Sequence, residues 1–363
     1  MTRGTIALLG SGETAPGMTK VHRALLSPLD PVRAVLLDTS FAFQANVPQM
    51  TTKILEYFNT SLHLAMSPLH YGGSEPANAV AQALYRRAII DANYVFAGPG
   101  SPTYAVKLWR EAGITESLET VLQEGGTLCF ASAAALTLGS HTAPIYEVYK
   151  AGSPLYWLEG LNILALTGLN CAVIPHYDNA EGATYDTRRC YLGEDRLSEM
   201  ETQLPPGTAI LGVDEHTAAI IDLERDTLLV TGRAHAYWRV NGVTEELTNG
   251  STVPLSRLRT VERQVIPTPT SVPIEESSLE SLAATATLGG RAGTEAAATL
   301  VRLARTIIDT PTTPSHLITG LVTLRNELRT RKDFATADRV RNLLDETGYD
   351  VHDGPSGSSW TQR

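Results

Sequence analysis

The sequence predicts an α/β protein: a mostly parallel sheet covered by helices, then an antiparallel extension, then a small helical module at the C-terminal end. Three observations carry this. Up to about residue 205, short apolar runs alternate with segments of helical period. From there, strand-like runs follow one another directly, separated only by turns. A stretch rich in Pro, Ser, Thr, Ala and Gly over 265–296 then sets off a last helical segment.

In chain order, "TIALLG" (5–10), "VRAVLLD" (32–38), "SLHLAM" (61–66), "ANYVFAG" (92–98) and "GTLCFA" (126–131) read as strands. They are apolar almost throughout, as strands are when both faces are covered. Between them, "VPQMTTKILEYFN" and "PANAVAQALYRRAIID" carry helix-period apolar spacing. "HYGGSEPAN" (70–78) leads into the second helix, with Ser74 as N-cap and Glu75 in the first turn. "GTAILGVDEHTAAIIDLERDTLLVTGRAHAYWRVNG" supplies the antiparallel strands. Residues 297–330 and 333–347 read as helices, with Leu321, Leu324 and Leu328 on one apolar face and Ala337, Val340 and Leu344 on another. The expected organisation is a main domain over 1–255, a linker over 256–296 and a helical module over 297–363.

With 363 residues, 43% of them hydrophobic, the chain can bury a full core. A net charge of −10 leaves no overall basic footprint for nucleic acid or an anionic membrane. No apolar run approaches the roughly 20 residues of a membrane span, and the N-terminal one is too short for a signal peptide. Cys129, Cys171 and Cys190 are widely spaced without C-x-x-C, which argues against a disulfide framework or zinc site and for a reducing cytoplasm. "GSGETAPG" (10–17) is glycine-rich but is neither G-x-G-x-x-G nor a P-loop. No metal or cofactor is therefore expected. In this topology that loop lies at the carboxyl ends of the strands, where ligands bind, and Glu13 is a candidate to meet a substrate amine. In "TYDTRRCYLGEDRL" (184–197), Arg188 and Arg189 are candidates for a substrate carboxylate or for salt bridges along a helix.

"CFASAAALTLG" (129–139) places Ser132 between a strand and a helix. Nucleophilic serines occupy such sharp turns, where small neighbours are needed, typically as G-x-S-x-G. Ala134, two residues on, is small; Phe130, two residues before, is not. "CAVIPHYDN" (171–179) puts His176 just past a strand, and "ILGVDEHTAAII" (210–221) sets Asp214 and Glu215 between two strand-like runs.

Taken with "AGPGSPTY" (97–104), "ASAAA" (131–135), "IPHYD" (174–178) and "VDEHTA" (213–218), in that order, residues 1–245 resemble the dipeptidase E and cyanophycinase family of serine peptidases. That family shares the flavodoxin-like, three-layer fold of class I glutamine amidotransferases. The resemblance implies a Ser-His-acid triad in which Ser132 attacks an amide carbonyl and His176 shuttles the proton. For the acid, the cyanophycinase pattern points to Glu215, which ranks first. The dipeptidase E pattern points to Glu147 in "PIYEVYK", and the amidotransferase H-x-E pattern to Asp178. Oxyanion donors are expected at Ala133 N–H and at Gly100, since Pro99 has no N–H. Cys129 falls inside the strand and reads as core; a serine at the turn disfavours glutamine-dependent ammonia transfer.

A second resemblance covers about 316–363. The run R-x-x-x-R-x-x-K-D-F-x-x-A-D-x-V-R-x-x-L (325–344), then G-x-x-x-x-D-x-x-x-G-x-x-W (348–360), is similar to the extreme C-terminus of cysteinyl-tRNA synthetases. It implies tRNA as a partner. The synthetase catalytic motifs are absent upstream, so aminoacylation is excluded. Residues 321–363 hold seven basic and seven acidic side chains, which weakens any electrostatic RNA arm, although Arg325, Arg329 and Lys332 would form a local stripe. The competing expectation is that the module packs on its own chain or on a second copy, giving a homodimer.

The expected activity is serine-type hydrolysis of a small peptide or amide. Two alternatives remain open at this stage. One is a catalytically silent binding protein, because Phe130 and Ala134 stand where elbow glycines are usual. The other is a tRNA-associated factor recruited by the C-terminal module.

Overall fold

The computed structural model describes residues 4–73, 78–259 and, further on, 322, 325–326, 329–330, 334–346, 349–354 and 357–362. The first strands are β1 (Thr5–Leu9), β2 (Ala34–Leu37), β3 (Met66–Leu69), β4 (Tyr94–Ala97) and β5 (Thr127–Ala131). Apart from Thr5 and Thr127, β1, β2, β4 and β5 are apolar throughout, which follows from burial on both faces; β3, at the sheet edge, reads MSPL and is only partly buried. Ile6, Leu8, Val95, Ala97, Leu128 and Phe130 point into one core; Ala7, Leu9, Tyr94, Phe96, Cys129 and Ala131 point into the other. Successive side chains of a strand alternate sides, so every position needs an apolar residue.

Helices Ala79–Ile90, Pro102–Ala112 and Thr115–Gln123 cover the first face, and Thr19–Leu26 and Val47–Leu62 the second. The result is a three-layer α/β arrangement. Phe130, the bulky neighbour of the serine turn, lies on the first face with its ring edge-on to buried Trp109, centroids 5.7 Å apart.

The remaining strands of this unit are β6 (His141–Thr142), β7 (Leu158–Glu159), β8 (Cys171–Ile174), β9 (Ala209–Val213), β10 (Thr217–Asp222), β11 (Thr227–Gly232), β12 (Ala236–Val240), β13 (Val243–Leu247) and β14 (Thr252–Pro254). The main sheet has the order β14-β11-β10-β1-β5-β4-β2-β3. β1, β5, β4, β2 and β3 run parallel; β10, β11 and β14 form the expected antiparallel extension. A second sheet, β13-β12-β9-β8, contains the parallel pair β8–β9.

Two local expectations are corrected. "SLHLAM" does not form a strand over 61–66: the helix continues to Leu62, His63 ends it in the left-handed conformation (φ 55°), and the strand begins at Met66. The cap of helix Ala79–Ile90 is Asn78, whose side chain accepts from Ala81 N–H at 2.9 Å; Ser74 and Glu75 lie outside the described residues.

The chain divides into two compact units, Met1–Arg263 and Gln264–Arg363. The first continues past residue 255 through helix Leu255–Arg259, with Leu255 and Leu258 buried and Arg259 paired with Asp226. The rest of the expected linker, and the first helical segment after it, lie outside the described residues apart from a few positions near 325. In the second unit, helix Phe334–Glu346 buries Ala337, Val340 and Leu344, the apolar face read from the sequence. A hairpin of β15 (Tyr349–Gly354) and β16 (Gly357–Gln362) follows it, an addition to the helical module. Tyr349 meets Trp360 edge-on across this hairpin at 5.6 Å.

Arg325 is 1% exposed, whereas Arg329 is exposed, so these two do not form a surface stripe; Lys332 lies outside the described residues. No helix among the described residues is long and apolar enough to cross a membrane.

Candidate active site

Three strand ends converge on one point. Ser132 follows β5, His176 lies two residues past β8, and Glu215 lies two past β9. β8 and β9 pair in parallel with Ile174 opposite Gly212, which brings the two exit loops side by side. The end of β1 ties both loops to the serine: Ser132 N–H donates to Leu9 O at 3.0 Å and His176 N–H to Gly10 O at 3.2 Å. Gly10 must be glycine here, because a Cβ would stand 2.0 Å from Asp214 O.

Ser132 has φ 50° and ψ −124°, a conformation that costs a non-glycine residue of order 1–3 kcal/mol and tends to be kept at functional sites. Ala133–Leu136 starts directly after it. Ala134 is fully buried and donates its N–H to Gly98 O at 3.3 Å, so the small residue the turn needs is present on that side. On the other side Phe130 points into the core, away from Cys129 and Ala131, and does not crowd the turn.

Ser132 Oγ lies 2.9 Å from His176 Nε2, and His176 Nδ1 lies 2.7 Å from Glu215 Oε1. Asn179 Nδ2–H also donates to Glu215 Oε1, at 3.0 Å. The hydrogen bond from His176 outweighs partial burial and holds the Glu215 carboxyl down at about 2. An ionised carboxylate only accepts, so Nδ1 carries a proton, and an imidazole with that single proton presents its Nε2 lone pair to the serine hydroxyl.

The other two acids occupy different places. Asp178 Oδ1 accepts Glu215 N–H at 2.7 Å and so fixes the loop that carries Glu215. Glu147 accepts from Thr103 Oγ1–H at 2.8 Å. Neither is hydrogen-bonded to His176.

His176 itself is in the left-handed region (φ 47°), and its carbonyl accepts from Asn179 N–H at 3.2 Å and Cys190 N–H at 3.1 Å. The second bond comes from an unusual turn in which Arg189, Cys190 and Tyr191 all have positive φ. The Tyr191 ring packs beside the imidazole, centroids 6.0 Å apart. Sequence reasoning missed Asn179 and this turn; Asn179 is visible only as the last residue of "HYDN".

Gly100, with φ 138°, lies under Ser40: a Cβ there would sit 1.9 Å from Ser40 O. Ser40 Oγ–H donates to Pro99 O and Ser101 N–H to Ser40 O, both at 2.8 Å, which clamps loop 98–101. Among the described residues, neither Gly100 N–H nor Ala133 N–H has a hydrogen-bond acceptor in the protein. Glu13 is half-buried on the loop after β1. Arg188 is committed to Asp186 through two bonds of 2.9 Å on an exposed turn, and Arg189 stacks over Tyr177 at 3.9 Å while pairing with Glu194. Cys129 is fully buried, which pushes its thiol up to about 12, the state of an inert core residue.

Asp214, next to Glu215, is 2% exposed. Burial, with help from the nearby Asp178 charge, pushes its carboxyl up from 3.8 to about 6 despite bonds from His235 N–H and the Tyr237 hydroxyl. The folded state therefore binds this proton more tightly than the unfolded chain does. This group costs stability as pH rises from about 4 to about 6, and the full cost, about 2–3 kcal/mol, persists above that. Asp214→Asn is expected to gain on the wild type by that amount between pH 4 and pH 7 in urea titrations. A constant difference across that range counts against the shift.

No family model matches the chain. Cysteine–tRNA ligases are similar over one short segment. That of Shewanella baltica strain OS155 is 48% identical over 46 residues, 13% of this chain and 10% of the ligase. That of Parvibaculum lavamentivorans is 52% identical over 40 residues, 11% of this chain and 8% of the ligase. The chain thus spans about a tenth of the length of the curated relatives it matches. Among solved structures, a peptidase from an acI-B1 Actinobacterium superposes with a TM-score of 0.55 at 19% identity, over 70% of this chain and 97% of that one. The likeness shows that the larger part of the chain shares the fold of that peptidase.

Proposed function

We propose that the chain is a serine hydrolase of amide or peptide bonds. The observation that carries this reading is the unbroken relay Ser132–His176–Glu215, with the serine held in a strained turn at the strand ends. Ser132 Oγ attacks the carbonyl carbon of the substrate while His176 Nε2 takes the hydroxyl proton. Glu215 keeps Nδ1–H oriented and stabilises the imidazolium. Ala133 N–H and Gly100 N–H receive the developing oxyanion. Collapse of the tetrahedral intermediate breaks the C–N bond, and His176 returns the proton to the leaving amine. Water, activated by the same imidazole, then hydrolyses the acyl-serine ester and regenerates the hydroxyl.

The test is a serine-directed fluorophosphonate. The wild type is expected to be labelled at Ser132, located by mass spectrometry of the tryptic peptide, and Ser132→Ala is expected to lose the label. Failure of the wild type to label, with its fold intact by circular dichroism, favours the silent binding protein. Labelling that survives Ser132→Ala places the nucleophile elsewhere.

A further inference from the structure

We propose that Glu13 is the specificity-determining carboxylate of this site and that it docks the ammonium group of the substrate's acyl residue; this rests on the hydrolase reading above. The side chain projects from the loop after β1, the strand paired with β5, with Leu9 opposite Ala131. Glu13 is therefore on the loop that leaves the strand next to the one that presents the nucleophile. Its Oε1 lies 3.7 Å from where a Cβ would stand on Gly98. Gly98 O accepts the N–H of Ala134 and so belongs to the wall of the serine turn. The glycine leaves the space between Glu13 and that wall free of side chain. On its other side the loop abuts His216: a Cβ on Gly12 would meet His216 Nδ1 at 2.1 Å.

The loop is anchored from below. His22 is fully buried, and its Nε2 lies 2.7 Å from Glu13 O. A carbonyl oxygen only accepts, so Nε2 carries the proton and Nδ1 accepts from the Tyr94 hydroxyl at 2.8 Å. Burial lowers His22 to about 4, which keeps it neutral and this tautomer intact. Glu13 is thereby held in place through its backbone, and its carboxyl is left out of that contact.

None of the ion pairs among the described residues involves Glu13. Its carboxyl has only its own backbone N–H and the more distant fields of His176 and His216, and burial raises its pKa. A half-buried carboxylate at a ligand-binding strand end, lacking a cation of its own, is best satisfied by one that arrives with the substrate. The neighbouring arginines, Arg188 and Arg189, are already paired with Asp186 and Glu194, so the charge on offer at this site is negative.

Two phosphonate diphenyl esters that differ only at the amine test the inference: an α-aminoalkyl phosphonate with a free ammonium, and its N-acetyl counterpart. The readout is the ratio of their labelling rates at Ser132, which cancels changes in common reactivity. The wild type is expected to favour the free amine by about 10–100-fold, the range of one charge-assisted contact. Glu13→Gln is expected to bring the ratio near one, and Glu13→Asp to retain part of the preference, with melting curves confirming that each variant is folded. A wild-type ratio near one overturns the inference. So does a Glu13→Gln variant that slows both probes equally and keeps the ratio, which would make Glu13 a partner of the imidazole instead. If plain fluorophosphonate labels Ser132 in either of these cases, the hydrolase reading stands and only the docking role falls. If nothing labels the wild type, the hydrolase reading fails and takes this inference with it.

Discussion

Replacing Glu215 by glutamine is expected to lower the rate of acyl-enzyme formation at Ser132 by about 10³–10⁴-fold while leaving the fold in place. The size follows from what the carboxylate does. It is ionised, with its carboxyl held at about 2, and it accepts the hydrogen bond from His176 Nδ1–H at 2.7 Å. A glutamine removes the charge that stabilises the imidazolium. It can also present its NH₂ to Nδ1, which then acts as acceptor and leaves Nε2 protonated and unable to take the serine proton; in comparable triads such a change costs about 10⁴ in rate. The low value for Glu215 also has a consequence for pH. Its stabilising contribution is present above 4.5 and is lost only as pH falls through about 2, so the acid limb of a pH–rate profile near neutrality does not belong to it. Stopped-flow or gel-based labelling rates from pH 5 to 9 measure both points. A loss below tenfold in Glu215→Gln, or an equal loss in Glu147→Gln, overturns the assignment of the acid.

The strands β1, β2, β4 and β5 were readable because they are apolar except for Thr5 and Thr127, and burial on both faces makes that pattern useful. The antiparallel strands from β9 onward were readable from their turns. The third strand slipped because "SLHLAM" is apolar across a helix end and a strand start. What separates the two is His63 in a left-handed conformation, and a histidine gives no local sign of that. Ser132 and His176 were legible because each follows an apolar run that ends abruptly, so each emerges at the carboxyl end of a strand; Glu215 was singled out among the acids by the cyanophycinase-like pattern around it. Their convergence was not legible. It depends on the parallel pairing of β8 with β9 across more than thirty intervening residues, and on β1 linking both exit loops to the serine turn. The turn 189–191 was hidden for the same reason as His63. Its positive φ values fall on Arg, Cys and Tyr, residues that ordinarily avoid that region, and tertiary hydrogen bonds to His176 and Tyr177 impose them.

The same turn gives remote residues a hold on the site, and Arg239 is where that hold is strongest. "AYWRV" reads as an ordinary strand, yet Arg239 in β12 is 3% exposed. Its Nε donates to Glu201 Oε2 at 2.7 Å and its Nη2 to Ser198 Oγ at 2.9 Å, and its Nη1 pairs with Glu194. All three partners belong to helix Gly193–Glu201, which begins two residues after Tyr191. Burial alone would push the Glu194 carboxyl up; the hydrogen bonds from Arg239 and Arg189 outweigh it and bring it below its usual value. Taking away the guanidinium strands the Glu201 carboxylate in a poorly solvated place and leaves Glu194 with Arg189 alone. Breaking one side of a buried ion pair costs about 3–5 kcal/mol, because the remaining charge is left without compensation. Arg239→Met is therefore expected to lower the melting temperature of the larger unit by about 6–20 °C, at about 2–4 °C per kcal/mol for a domain of this size. Because the helix continues from the turn whose Cys190 N–H holds His176 O, Ser132 labelling should slow in Arg239→Met well below the melting temperature. Adding Glu194→Gln and Glu201→Gln to Arg239→Met should recover much of the stability, since the charges that had lost their partner are then gone. A melting point within about 2 °C of wild type for Arg239→Met, or no recovery in the triple variant, would show that Arg239 contributes by packing its aliphatic stem and not by its charge.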